Sequence, residues 1–209
     1  MIQGSQEWID SRIGKVTASR VGACFTKPRN GYSVSKVREA YLADLLAERL
    51  TGKPSVPSYA YGDNGEAVSW GAQTEPFARA AYTERTGNKI ELVGFIDHPT
   101  VPMSGASPDG LCAGGGVEFK CPNTKTHLET INKGKVPSQY LPQVKWNMAC
   151  ARRLWWDFAS FDPRTEIQQL FIVRVQATPD ELRAMEMGVF AFVMELEARL
   201  AEYQAREGE

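Results

Sequence analysis

The chain has 209 residues, of which 43% are hydrophobic, and a net charge of −1, so it can bury a full core and is expected to form a single domain over residues 1–209. It contains no signal peptide and no apolar run long enough to cross a bilayer, which predicts a cytoplasmic protein with no membrane partner. No two of the four cysteines have the two-residue spacing of a zinc or iron–sulfur site, so they are expected to be reduced thiols.

Hydrophobic periodicity predicts helices, then a group of strands, then further helices and strands. Ser35 and Gly52 are suited to begin and end the first helix, and Thr178 with Pro179 is suited to begin the last. This order indicates an α/β fold in which a central mixed β-sheet is flanked by helices. The predicted helices cover 35–50, 66–85, 138–151 and 179 to about 205, and the predicted strands cover 90–96, 103–106, 117–120, 154–161 and 167–175.

A predicted hairpin carries two carboxylates and an amine close together. Asp109 precedes a link over 110–116 that contains four glycines, and Glu118 and Lys120 follow it. Side chains alternate faces along a strand, so Glu118 and Lys120 point the same way, while the reversal places Asp109 beside Glu118. Two neighbouring carboxylates repel unless a cation lies between them, and Mg²⁺ or Mn²⁺ suits oxygen ligands. The alternative is a turn aspartate followed by an exposed salt bridge across a strand.

A third carboxylate, Glu75, lies on the predicted helix that precedes the sheet, from which it could reach the same cation. The alternative is an ordinary surface glutamate. Pro76 follows it directly and is expected to kink the helix or to mark its true first turn, so the reach of Glu75 depends on that proline.

The charges are unevenly distributed although their sum is close to zero. Residues 12–53 carry nine basic and three acidic side chains, and residues 120–153 carry seven basic and one acidic. Residues 180–209 carry eight acidic and three basic side chains. A basic face with an acidic tail is compatible with a nucleic-acid channel, and ordinary solvated surface is the alternative.

Five short blocks, in order along the chain, resemble one known family. They are Arg12-Ile13-Gly14-Lys15-Val16-Thr17-Ala18-Ser19, Trp70-Gly71-x-x-x-Glu75, Ser107-Pro108-Asp109-Gly110, Glu118-x-Lys120-Cys121-Pro122 and Tyr140-x-x-Gln143. The chain is similar to the phage λ exonuclease family, also called the YqaJ-type viral recombinases, within the PD-(D/E)xK nuclease superfamily. The resemblance covers roughly residues 5 to 163 and suggests a prophage-encoded homologue in a bacterial cell.

The resemblance implies a restriction-endonuclease-like core and a processive 5′→3′ exonuclease acting on linear double-stranded DNA. It implies Mg²⁺ as cofactor, with Mn²⁺ as a possible substitute and two ions per site. Asp109, Glu118, Glu75 and the Phe119 carbonyl are the implied ligands, and Lys120 is implied to orient or deprotonate the attacking water. One metal lowers the pKa of a bound water and a second stabilises the leaving oxygen.

The resemblance also assigns residues to the DNA. It places Arg12, Ser19 and Ser107 in a pocket for the 5′-phosphate, Tyr140 and Gln143 on a helix lining the site, and Val68 at a wedge that splays the terminal base pair. A core-facing valine is the alternative for Val68. Lys125 and Lys145, which lie in the second basic stretch, are candidates for contacts with the DNA backbone, with plain solvation as the alternative.

The resemblance also implies partners, and two other functions remain as alternatives. The resemblance implies DNA ends as substrate, a ring-shaped homotrimer, and a single-strand annealing protein of the Bet or RecT type as partner, so that the remaining 3′ strand enters recombination. One alternative is an endonuclease of the same superfamily, although the cysteine spacing argues against the iron–sulfur type. The other is a DNA-binding recombination scaffold without activity, against which the complete acid–acid–lysine set counts.

Overall fold

A computed structural model describes residues 1–27, 35–55 and 65–206, except for the side chains of 65–69. The described helices are α1 (Gln6–Asp10), α2 (Lys36–Thr51), α3 (Gly65–Thr86), α4 (Thr124–Lys133), α5 (Leu141–Ala151) and α6 (Pro179–Arg206). The described strands are β1 (Val16–Thr17), β2 (Ile96–Asp97), β3 (Ser104–Ala106), β4 (Gly110–Cys112), β5 (Gly115–Lys120), β6 (Trp155–Phe161) and β7 (Leu170–Gln176).

The helices that have clear terminal signals are confirmed. Ser35 accepts a hydrogen bond from the Arg38 N–H at the start of α2, and Gly52 ends this helix in the left-handed conformation, with φ of 64°. Thr178 and Glu181 form a reciprocal capping box at the start of α6, with N···O distances of 2.9 and 3.2 Å. Side chains that satisfy the first N–H groups therefore decide where these helices begin.

Among the other predictions of local structure, two are wrong and one is confirmed. The stretch 90–96 contributes only Ile96 to a strand, apart from an isolated bridge between Glu91 and Leu111. The predicted helical stretch 138–151 is confirmed: a 3-10 turn over Ser138–Tyr140 leads into α5, and Pro142 lies in the first turn of the α-helix, where its missing N–H costs nothing. The predicted glycine-rich link contains a strand of its own, β4, and the prediction also omitted α1, β1 and α4.

The described strands form two sheets, and the predicted central mixed sheet corresponds to the larger of them. A small sheet has the order β1-β3-β2, and a larger one has the order β4-β5-β6-β7. Within the larger sheet β5 runs parallel to β6, whereas β4 and β7 are antiparallel to their neighbours. The fold is therefore α/β with mixed sheets between helices, as predicted.

Helices cover both faces of the larger sheet. On one face Ala78 and Tyr82 of α3 pack against Val117 and Phe119 of β5, together with side chains of β6 and β7. On the other face α5 packs against alternate residues of β6. Because side chains alternate along β5, Glu118 points to the α5 side and is almost fully buried.

Two tryptophans explain the glycines at the start of β5. A Cβ atom at Gly116 would lie 2.3 Å from the ring of Trp156, its partner in the sheet register, and one at Gly115 would lie 2.2 Å from the ring of Trp155. The indole rings therefore occupy the space above each glycine. Close packing, rather than the freedom to turn, requires glycine at these two positions, whereas Gly114, with φ of +79°, provides the turn.

We expect Gly116→Ala to destabilise the protein by about 1–3 kcal/mol, because the added methyl group must displace the fully buried Trp156. Gly71→Ala in α3 is the matched control, since a Cβ there meets no atom within 4 Å, and it should be neutral or stabilise the helix by up to about 1 kcal/mol. Urea unfolding of both variants measures the difference, and equal free energies of unfolding would contradict the packing argument.

Candidate active site

Glu118 is the centre of the site and is held by three donors. Its Oε1 accepts hydrogen bonds from the Lys120 ammonium and from Gln143 Nε2, the latter at 2.6 Å. Its Oε2 accepts one from Asn147 Nδ2 at 2.9 Å. The glutamate is 1% exposed, so the pair with Lys120 is not the exposed surface salt bridge of the alternative interpretation. These three hydrogen bonds fix the direction of the buried carboxylate.

Asp109 lies beside this group, as the predicted hairpin requires. Its Oδ2 accepts a hydrogen bond of 2.7 Å from the main-chain N–H of Phe119, the residue whose carbonyl is the expected metal ligand. Burial, then the negative charges of Glu118 and Glu75, raise the pKa of Asp109 well above its ordinary value, although Lys120 and the Phe119 N–H oppose the shift. The site thus holds more negative charge than its own cation compensates.

Lys120 provides that cation. Burial alone would lower its pKa, but the charges of Glu118 and Asp109 and the hydrogen bond to Glu118 raise the pKa above the ordinary lysine value. Its Nζ also lies 5.3 Å from the centre of the Tyr140 ring, which stacks on Phe158 of β6 at 5.5 Å. Tyr140 and Gln143 therefore both line the site, at the point where α5 begins.

Glu75 reaches the same region from α3, which continues through Pro76. Its Oε1 forms an ion pair of 2.6 Å with Arg79, one turn further along the helix. Glu75 and Asp109 line one cavity of about 520 Å³, together with Arg79, Trp8 and residues of the chain start. Its charge also contributes to the raised pKa of Asp109, so the proline does not remove Glu75 from the site.

Two of the three residues expected to bind the 5′-phosphate are in direct contact. Arg12 Nη1 donates a hydrogen bond of 2.8 Å to Ser107 Oγ, and the Trp8 indole N–H donates to the same oxygen at 2.8 Å. The Arg12 guanidinium also lies 4.1 Å from the centre of the Trp8 ring. Ser19 is exposed, has its hydroxyl 3.4 Å from Thr17 Oγ1, and lines a second cavity of about 260 Å³ that also includes Gln143.

The candidates for contacts with the DNA backbone have different surroundings. Lys125 is exposed in the first turn of α4. Lys145 forms an ion pair of 2.8 Å with Glu181 of α6, which neutralises much of its charge. Val68 belongs to α3, but its side chain lies outside the described residues.

Sequence reasoning missed two residues of the site, Asn147 and Trp8. Both have a detectable signal, because Asn147 follows Gln143 by four residues on α5, and Trp8 precedes Arg12 by the same interval. Within α5 a spacing of four residues places two side chains on one face of the helix, whereas Arg12 lies beyond the end of α1 and meets Trp8 through a contact between its guanidinium and the indole ring. Polar or aromatic residues at this interval from a motif residue are therefore worth testing as part of the same site.

The candidate ligand atoms are of the kind that binds a hard divalent cation, although the side chains that carry them are not arranged around one. Among the described residues, no three His, Cys, Asp or Glu side chains are grouped so that they could hold a metal ion. Each carboxylate is instead engaged by donors of the protein, namely Arg79, the Phe119 N–H, or Lys120 with its neighbours. The donor atoms are all oxygen, and the excess negative charge felt by Asp109 is what a cation would neutralise.

The raised pKa of Asp109 predicts how stability depends on pH in metal-free protein. Between the ordinary carboxyl pKa and the raised one, the folded state keeps a proton that the unfolded chain has lost, so stability falls as pH rises through this window. We expect the Tm measured by calorimetry in EDTA to fall more steeply for wild type than for Asp109→Asn. This comparison cancels the titration of other groups, and parallel curves would contradict the assignment.

Comparison with known proteins places the chain in a family. The model of the YqaJ-like viral recombinase domain matches residues 7–153. The chain belongs to the YqaJ-like viral recombinase family. The matched range contains Glu118 and the residues grouped around it, namely Asp109, Lys120, Gln143 and Asn147. The relationship inferred from five short blocks is therefore confirmed. No curated protein matches the chain.

Solved structures extend this similarity beyond the YqaJ-like domain. The alkaline exonuclease LHK-Exo from Laribacter hongkongensis is 41% identical, with a TM-score of 0.86 and 98% of each chain covered. LHK-Exo in complex with dAMP matches at 42% identity with the same TM-score and coverage. A phage related exonuclease from Haemophilus somnus 129PT is 12% identical with a TM-score of 0.65, covers 91% of this chain and 96% of its own, and shows the fold alone.

None of the described helices of this YqaJ-like protein is both long and apolar enough to span a membrane.

Proposed function

We propose that the 209 residues form one PD-(D/E)xK exonuclease domain that degrades linear double-stranded DNA from its 5′ ends. It releases 5′-mononucleotides processively, requires Mg²⁺, and leaves a 3′ single strand for recombination by annealing. The observation that carries this proposal is the buried Glu118–Lys120 pair beside Asp109 in a chain 41% identical to an alkaline exonuclease. That relative also binds dAMP, a mononucleotide of the class released in the proposed reaction.

The carboxylates would hold the cofactor. Asp109, Glu118 and Glu75, with the Phe119 carbonyl, are the proposed ligands of two Mg²⁺ ions, for which Mn²⁺ can substitute. When bound, the ions would activate water and stabilise the leaving oxygen. Gln143 holds Glu118 in place by its hydrogen bond of 2.6 Å.

Lys120 has a role that depends on the charge around it. Because neighbouring carboxylates raise its pKa, it is an ammonium ion that donates a hydrogen bond when those charges are uncompensated. Cations bound to Asp109 and Glu118 would remove that effect and leave burial, which lowers the pKa of a lysine. With the cofactor bound, Lys120 would orient the attacking water or accept its proton.

Arg12 and Ser107 are proposed to bind the 5′-phosphate together with Ser19, which lines the cavity that includes Gln143. We expect Arg12→Leu to lower kcat/KM about 10- to 100-fold on 5′-phosphorylated duplex, since it removes a charged hydrogen bond to phosphate. The loss should be much smaller on duplex with 5′-hydroxyl ends. Arg85→Leu is the control. Arg85 lies at the end of α3, and its guanidinium donates a hydrogen bond to the Leu170 carbonyl of β7. An equal loss on both kinds of end would contradict the pocket.

The remaining parts of the proposal concern assembly and DNA contacts. Val68 would splay the terminal pair, Lys125 and Lys145 would meet the DNA backbone, and the working form would be a homotrimeric ring in the bacterial cytoplasm. Light scattering that shows a stable monomer would contradict the ring. A single-strand annealing protein would be the partner, and a pull-down in which purified annealing protein is not retained would count against it.

A time course on linear duplex tests polarity, cofactor and product together. Duplex labelled at either the 5′ or the 3′ end is incubated with Mg²⁺, with Mn²⁺ or with EDTA. The proposal predicts that 5′ label appears at once as mononucleotide, that 3′ label remains in a long strand, and that EDTA stops both. Early release of 3′ label as mononucleotide would overturn the polarity, and internal fragments would indicate an endonuclease.

A further inference from the structure

Asn147 is fully buried, and one of its polar atoms has no hydrogen-bond partner among the described residues. Its Nδ2 donates to Glu118 Oε2 at 2.9 Å, one helical turn beyond the corresponding bond from Gln143. Its Oδ1 is buried and accepts no hydrogen bond from any described residue. A buried acceptor without a donor destabilises a fold, so stability alone does not account for an asparagine here.

The direction of the amide is determined by Glu118. Turning the group round would place Oδ1 against a carboxylate oxygen, where two acceptors repel. The amide nitrogen therefore faces Oε2, and the unsatisfied oxygen is the consequence. Asn147 therefore makes a hydrogen bond to Glu118 through its nitrogen, while its oxygen is left without one.

The two carboxylate oxygens of Glu118 differ in how many of their acceptor directions remain free. A carboxylate offers about four acceptor directions, two on each oxygen. Oε1 uses two of them, for Lys120 and Gln143. Oε2 uses one, for Asn147. One direction on Oε2 remains, and the bond from Asn147 determines where it points.

We propose that Asn147 is a positioning residue that holds Glu118 with the remaining acceptor direction of Oε2 available to a divalent cation. The inference rests on the proposed function, because it takes Glu118 as a metal ligand. It adds a residue that contacts neither metal nor DNA and acts through the glutamate. Outer residues of this kind tune metal affinity by orienting the ligand.

Metal binding without DNA provides the test. Calorimetric titration of Mn²⁺ into Asn147→Leu should show affinity reduced about 10- to 100-fold relative to wild type. Its Tm should fall modestly, because the buried Glu118 Oε2 loses its donor while the unsatisfied oxygen of Asn147 is removed as well. Thr130→Val is the matched control, since Thr130 is equally buried and its hydroxyl donates only to the Thr126 carbonyl. This control should bind Mn²⁺ as wild type does.

The outcomes separate the positioning role of Asn147 from the proposed exonuclease function. Weakened Mn²⁺ binding in folded Asn147→Leu, with intermediate binding in Asn147→Ser, supports the positioning role. Wild-type affinity in folded Asn147→Leu overturns it and leaves the exonuclease proposal intact. If the leucine variant does not fold, the serine variant decides by the same titration. Wild-type protein that neither binds Mn²⁺ nor cleaves DNA overturns the proposed function and this inference together.

Discussion

Lys120→Met is expected to lower the cleavage rate on linear duplex by roughly 10²- to 10⁴-fold, the usual contribution of a positioned proton-transfer group. The methionine keeps the length and apolar stem of the side chain but cannot donate to Glu118 Oε1 or handle a proton. Single-turnover cleavage with saturating Mg²⁺ measures the loss. DNA binding, measured by anisotropy in Ca²⁺, should change by less than about tenfold, because the Lys120 ammonium is directed at the buried Glu118 carboxylate and not at the protein surface.

Lys125→Met is the matched control for this experiment. Lys125 lies close in sequence and is exposed at the start of α4, so removing it should alter the salt dependence of DNA binding more than the rate of cleavage. If Lys120→Met cleaves as fast as Lys125→Met, Lys120 has no part in the chemistry and the site assignment fails.

Asp109→Asn is expected to change activity and stability in opposite directions. The substitution removes a carboxylate from the proposed metal site, which should cost several kcal/mol of transition-state stabilisation, or roughly a thousand-fold in rate. It also removes the charge whose burial beside Glu118 and Glu75 raises the pKa of Asp109. At neutral pH and without metal, the variant should therefore melt at a higher temperature than wild type.

Mg²⁺ should reverse that order. Because a ligand stabilises the state that binds it, added Mg²⁺ should raise the Tm of wild type and leave Asp109→Asn nearly unchanged. Asp97→Asn is the control, since Asp97 forms an exposed ion pair with Lys15 and lies outside the site. A variant at position 109 that responds to Mg²⁺ like wild type would contradict the assignment of Asp109 as a ligand.

Local signals predicted the central hairpin well, and the reason is physical. Alternation along β5 places Glu118 and Lys120 on one side, and the turn at Gly114 allows β4 to pair with β5, which brings Asp109 beside them. The burial of Glu118 could not be predicted in this way, because it depends on α5 packing over that face of the sheet. Periodicity within a strand says which side chains share a face but not what covers the face.

Other parts of the chain show where local reasoning fails. The stretch 90–96 is rich in β-branched and apolar residues, yet it forms only an isolated bridge at Glu91 and pairs from Ile96 onward. Propensity for strands is expressed only where a partner edge is available. Gly115 and Gly116 looked like turn residues, whereas their cause is a pair of indole rings about forty residues later in the chain. Contacts at that separation leave no local pattern in the sequence.

The position of Glu75 relative to the hairpin could not be predicted from local sequence. A helical glutamate followed by proline has no distinctive pattern, but α3 passes through Pro76 and brings Glu75 to the cavity that Asp109 lines. The electrostatic effect of Glu75 on Asp109 joins the helix and the hairpin in one site.

The most direct test of an end-dependent DNA exonuclease compares one plasmid in two forms. Linearised duplex and covalently closed, relaxed circles of the same sequence are incubated with equal enzyme and Mg²⁺, and acid-soluble nucleotide is measured over time. We predict that the linear form is converted to mononucleotides and a residual single strand while the circles stay intact. Cleavage of the closed circles at a rate comparable to that of the linear form would contradict the account.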